Sequence, residues 1–207
     1  MICITLACST CGKGPATLSW LSPKCNPMKA VFSILPVFLL TTMASAQSDA
    51  SIFARRLDSL GAEIVMPIDG DYRPRYIEDN PIQSYHWALG SRKDKLEMRF
   101  FILPWRGQPI LNFPHIEAAR VARQVGSNDP DAAMTARDLT DEELFDLFNA
   151  DWGRIYLFTP KPHFGLFEHC KMIALFREER GMAFIFQLFD EPGPKIDRRL
   201  HAFQFLD

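Results

Sequence analysis

The chain has 207 residues, 23% of them charged and 47% hydrophobic, with a formal net charge of −2. That is enough chain for one domain with a real core, at ordinary globular composition. No segment is apolar for long enough to span a bilayer by itself, and no basic run marks a nucleic acid or an anionic membrane as a partner.

Residues 28–47, MKAVFSILPVFLLTTMASAQ, have the three parts of a secretory signal peptide. Lys29 is the positive start, Ala30 to Leu40 the short apolar core, and Ala44-Ser45-Ala46 the small-x-small cleavage site. Pro36 argues against a buried N-terminal helix. Cleavage after Ala46 gives a mature chain that begins at Gln47, exported and expected in the periplasm, with no stable membrane anchor. Residues 1–27 then read as an extension ahead of the true start, Met28. They carry Cys3, Cys8, Cys11 and Cys25 in a C-x4-C-x2-C arrangement with the spacing of an iron–sulfur site. No acidic residue or folded context surrounds them, and cleavage removes them. Residues 1–46 contain three lysines and no acid, so 20 Lys and Arg remain against 25 Asp and Glu, a net of −5. Only Cys170 is left, so no intrachain disulfide is available and the apolar core must hold the fold.

Residues 47–207 read as one domain. Ser48 to Leu60 has helical spacing, with Gly61 to end it. Ala62 to Met66 is a short strand closed by Pro67. Asp69-Gly70-Asp71-Tyr72 is a turn cluster, followed by a polar loop to Pro81. Gln83–Leu89 and Leu96–Leu103 form a hairpin around residues 90–94, the second arm having one wet face at its start. Ile116 to Val125 is a helix with two possible apolar stripes, Ile116-Ala119-Ala122 or Ala118-Val121-Val125. Residues 131–139 are ambiguous. Thr140 and Glu143 form a capping box that opens a helix to about Asn149. Gly153 to Thr159 is a strand.

The central element is the hairpin from Cys170 to Glu191. Met172–Phe176 and Met182–Phe189 flank a charged turn, and the second run is apolar at nearly every position. A strand sends alternate side chains to opposite faces, so this one must be covered on both and lies inside a sheet. Pro194 to Phe203 closes the chain as an amphipathic helix, with Ile196, Leu200 and Phe203 inward and Lys195, Asp197, Arg198 and Arg199 outward. The predicted class is α+β: a mainly antiparallel β-sheet with helices packed against it. The order of elements resembles the PsbP/Mog1-type α/β sandwich, which includes small secreted bacterial proteins. The residues that carry it are Ile64 to Pro67 with Asp69 to Tyr72, Glu97 to Pro104, and the Met172–Phe189 hairpin with its following helix. The resemblance implies a binding or accessory module more often than an enzyme.

Candidate chemistry is sparse. His163, Glu168, His169 and Cys170 are the best metal-ligand types within reach of one another, and a small hydrolase using His163, Glu168 and His169 is one alternative function. On an extended backbone, however, His169 and Cys170 point to opposite faces. A Cys170–His169 nucleophile pair meets the same obstacle, so His163 would have to supply the base. The carboxylates Asp141, Glu142 and Glu143 sit at a helix start, and Asp190 and Glu191 at a turn, where acids have structural reasons to be. Glu97 shares a strand face with Arg99, Phe101 and Leu103, which places it either at a groove edge or as a salt-bridged surface residue. Nothing calls for a cofactor. The leading expectation is a non-enzymatic domain that binds a protein or small ligand through the Pro67–Pro81 loop, with Tyr72, Arg73, Arg75, Tyr76 and Trp105 as candidate contacts. A structural part of an envelope assembly is the remaining alternative.

Overall fold

The computed structural model describes residues 50–65, 68–77 and 79–207. The signal-peptide reading, four of the five cysteines and the Met66-Pro67 strand end lie outside these residues. We number the strands β1 Ala62–Glu63, β2 Arg73–Pro74, β3 Trp87–Ser91, β4 Leu96–Pro104, β5 Met134–Asp138, β6 Trp152–Phe158, β7 His169–Arg177, β8 Gly181–Phe189 and β9 Gln204–Phe205. The helices are α1 (50–60), α2 Pro114–Val125 and α3 Pro194–Arg198.

β8 is buried at every one of its nine positions. It lies between β4 and β7 in a seven-stranded antiparallel sheet of order β2-β3-β4-β8-β7-β6-β5. Both neighbours pair along its full length, Leu96 to Pro104 on one side and His169 to Arg177 on the other. The hairpin turn needs Gly181: its φ is +126°, and a Cβ there would stand 2.2 Å from the Leu103 carbonyl oxygen.

The two faces of β8 feed two cores. Ala183, Ile185 and Phe189 join Phe53 and Leu60 of α1, together with Phe148, Phe203 and Phe205. Met182, Phe184, Phe186 and Leu188 join Val121 and Val125 of α2, together with Phe164 and Leu111. Each large side chain so buried contributes about 1.5–3 kcal/mol before entropy is counted. The sheet is therefore the middle layer, as an all-apolar strand requires. Among the described residues no helix is long and apolar enough to cross a membrane.

Several local expectations are corrected. The strand after α1 is only two residues long and pairs with β9. The closing helix ends at Arg198, and the chain then extends into β9. Extension lets Phe203 and Phe205 both reach the core, which a continuing helix would not. α2 uses the Ala118-Val121-Val125 stripe and leaves Ile116 half exposed. The capping box after Thr140 forms: the Glu143 N–H donates to Thr140 Oγ1 at 3.1 Å, and the Thr140 N–H donates to Glu143 Oε2 at 3.0 Å. The box opens a π-helix, Glu143–Phe148, stopped by Asn149 at φ 49°. Its wider turn sets Leu144, Leu147 and Phe148 together against the core. Residues 134–138 form β5 on the sheet edge.

Candidate anion-binding cleft

Backbone alternation builds the first wall. The Arg75 N–H donates to the Ala88 carbonyl at 2.9 Å, and Arg73 pairs with Gly90 in the same register. Arg73 and Arg75 therefore share one face of the sheet, with Pro74 between them. Gly90 provides the floor. A Cβ on it would come within 2.2 Å of Arg75 Nε, so the guanidinium lies across β3 where any other residue would lift it. Arg92, just beyond β3, closes the far side. With Asp71 these residues line a cleft of about 300 Å³.

The charges in the cleft are unequal in number. Asp71 is its one acid among the described residues, and it already accepts from Arg73 at 3.3 Å. Arg75 and Arg92 have no ion-pair partner among the described residues. Among the described residues, three guanidiniums against one carboxylate leave the lining with an excess of two positive charges, in a chain whose formal net charge is −2.

A second network holds the loop that carries these arginines. Ser91 Oγ donates to the Gly70 carbonyl and accepts the Asp94 N–H at 3.0 Å. Lys93 Nζ donates to the Asp69 carbonyl at 2.7 Å. Tyr72 Oη donates to Asp94 Oδ2 at 2.9 Å, and Arg199 reaches the same oxygen through Nε at 3.0 Å and Nη2 at 2.9 Å. Arg199 also bonds Asp69 at 2.8 Å, and its carbonyl accepts from the buried Gln187 Nε2 at 2.7 Å. Arg199 is thus turned inward, not outward as its place on an amphipathic helix implied. The Asp94 carboxylate supplies the reason: it is 2% exposed and needs a cation. Burial works to raise the Asp94 pKa, but the bonds from Tyr72 and Arg199 outweigh it and hold the carboxyl below its ordinary value. Burial and the adjacent Asp94 charge push the Tyr72 phenol well up.

Of the residues singled out from sequence, Arg73 and Arg75 line the cleft. Tyr72 supports it from behind, its hydroxyl spent on Asp94. Tyr76 is 82% exposed and off the lining. Trp105 lies elsewhere, its side chain packed on the α2-side core and its backbone N–H donating to the Arg180 carbonyl. Arg92 was missed; its only signal was a cation two residues past a glycine in a hairpin.

The metal-ligand types are not brought together. His163 is exposed, its carbonyl accepting from Asn80 Nδ2 at 2.8 Å, and His169 packs on Phe189 with ring centroids 5.6 Å apart. Among the described residues no three His, Cys, Asp or Glu side chains group as a metal would need. Cys170 is fully buried on the face opposite His169, and burial raises its thiol pKa, the reverse of an activated nucleophile. Glu97 pairs with Arg99 at 2.7 Å. The Arg99 guanidinium also covers the rings of Tyr85 and Phe164, at 4.7 and 5.0 Å, so this pair is packing.

Compared with protein-family models, curated proteins and solved structures, the chain has no match in any of the three. The resemblance to the PsbP/Mog1 sandwich therefore rests on the order of elements alone.

Proposed function

We propose that this protein is an exported, non-enzymatic binding domain whose site is the Arg73–Arg75–Arg92 cleft, and that its ligand is a small dianion such as a phosphate monoester or a dicarboxylate. One observation carries the reading: two guanidiniums without acid partners among the described residues, beside a third, lie on a concave surface whose loop is fixed from behind. Arginine presents a planar fork of donors matched to carboxylate and phosphate oxygens. A fixed loop spares the ligand the cost of ordering it. Binding is favoured over turnover because, among the described residues, the lining holds no His, Cys, Ser or Thr, and its one carboxylate is already engaged. The hydrolase alternative has no assembled ligand set to draw on. Export rests on the residue 28–47 pattern.

The test is calorimetric titration of the protein with glycerol 3-phosphate and with succinate, repeated with Arg75→Gln and Arg92→Gln. The reading expects saturable binding of at least one of the two, weakened at least about tenfold by each substitution, since charge-assisted bonds are worth about 1.5–3 kcal/mol. Binding that survives both substitutions, or no binding of either anion, overturns it.

A further inference from the structure

The two edges of the sheet are finished differently. β2 is two residues long, and its outward position is Pro74, which has no N–H to offer an incoming strand. β5 is five residues long and exposed throughout.

The β6 ladder fixes which β5 groups face out. The Leu139 N–H donates to the Gly153 carbonyl at 3.0 Å, continuing the register in which Arg137 faces Ile155 and Thr135 faces Leu157. Thr135 and Arg137 therefore turn their N–H and C=O groups to β6, and Met134, Ala136 and Asp138 turn theirs outward. Among the described residues one contact reaches these outward groups, from Arg137 Nη1 to the Asp138 carbonyl at 3.4 Å. The charges that would guard such an edge are neutralised in place. Arg137 is bonded to Glu143 at 2.8 Å and Asp138 to Arg154 at 2.6 Å.

We propose that a second copy of this chain pairs with β5, antiparallel and two-fold about Ala136, so that the sheets of the two copies become one. The strand is self-complementary in that register. Met134 faces the partner's Asp138, Ala136 faces the partner's Ala136, and every outward group on both strands is used. A shift by two residues leaves outward groups unpaired on each strand. On the other parity, Thr135 faces the partner's Arg137, so no like charges lie opposite within the strand. Pro74 at the far edge stops further addition, and the assembly closes as a dimer and does not grow into a fibre. The arginine cleft stands at that far edge, so dimerisation leaves it open and the two properties can fail separately.

The test is sedimentation equilibrium of the full chain over a wide concentration range, with a monomer–dimer equilibrium expected. Ala136→Pro removes an outward N–H and no β6 bond; Thr135→Arg puts a cation opposite the partner's Arg137. Each is expected to raise the dimer dissociation constant at least about tenfold without lowering the melting temperature measured at concentrations where the parent is monomeric, Thr135→Arg deciding the matter should the proline disturb β5. Ala136→Cys, in protein whose Cys3, Cys8, Cys11 and Cys25 are replaced by Ser, then reports the register. Its two copies face each other and oxidise to a covalent dimer, whereas two Met134→Cys copies lie about 13 Å apart along the strands, beyond the ~7 Å limit of a disulfide. A monomer at every concentration, a dimer indifferent to both edge substitutions, or cross-linking by Met134→Cys in place of Ala136→Cys overturns the proposal.

Discussion

Arg75 lies across Gly90, its Nε 2.2 Å from where a Cβ on that glycine would stand. The glycine is not needed for the backbone, since β3 is ordinary strand there and its φ is not positive. It is needed for the arginine. Gly90→Ala should therefore keep the fold, shifting the melting temperature by no more than about 3 °C. The same change should weaken binding of the anion that the cleft takes by about tenfold, a loss read in the same titration. Equal loss of binding and of fold would mean that Gly90 serves packing.

Arg199 and Asp94 form a buried pair, 10% and 2% exposed in their side chains. Removing one member strands the other in the interior, which costs about 3–5 kcal/mol. Arg199→Met should lower the urea midpoint accordingly, whereas Asp94→Asn with Arg199→Met together should cost less than the two single changes summed. The Asp94 carboxyl is held below its ordinary value, so this stabilisation is complete above the unfolded carboxylate pKa. It is lost as pH falls through the lower folded value.

His86 accepts the Ile102 N–H on Nδ1 at 3.0 Å. Burial, with Arg56 nearby, lowers its pKa from 6.5 to about 4. The unfolded chain takes up this proton first as pH falls. The neutral ring's contribution is therefore full above about pH 6.5 and lost progressively down to about pH 4. Its size is about 1 kcal/mol once the solvent around a half-buried ring is allowed for. In His86→Asn, the amide oxygen can take the place of Nδ1 without titrating. Urea midpoints measured at pH 7 and pH 4.5 should differ by less in that variant than in the parent.

Phe184 is fully buried in the central strand, 5.7 Å from the ring of Phe101. Phe184→Ala leaves a cavity that a strand paired on both sides cannot collapse to fill. The expected cost is about 3–5 kcal/mol by chemical denaturation. Loss of less than 1 kcal/mol would mean that the sheet interior repacks.

The signal-peptide pattern of residues 28–47 predicts cleavage after Ala46. Mass spectrometry of the protein purified from the cells that make it should find Gln47 at the N-terminus, without Cys3, Cys8, Cys11 or Cys25.

The sheet was legible because its signals are local. The burial of β8 from Met182 to Phe189 can be read from a run apolar at nearly every position, and the Thr140–Glu143 box from a four-residue spacing. Residues 134–138 were not legible: an edge strand exposed at every position has no hydrophobic period to read. The π-turn at Glu143–Phe148 was missed for a related reason, since Leu144, Leu147 and Phe148 fit one face of an α-helix as well.

By itself, the sequence determined that β8 lies between two layers, because a side chain's hydrophobicity is its own property and alternation along a strand sends such groups to both sides. Only the tertiary structure decided what the charges do. Arg199 turns inward because Asp94, 105 residues away in the chain, is buried beside it. Arg92 joins Arg73 and Arg75 because β2 pairs with β3. A charge takes its role from its neighbours in space, and those neighbours are set by the fold.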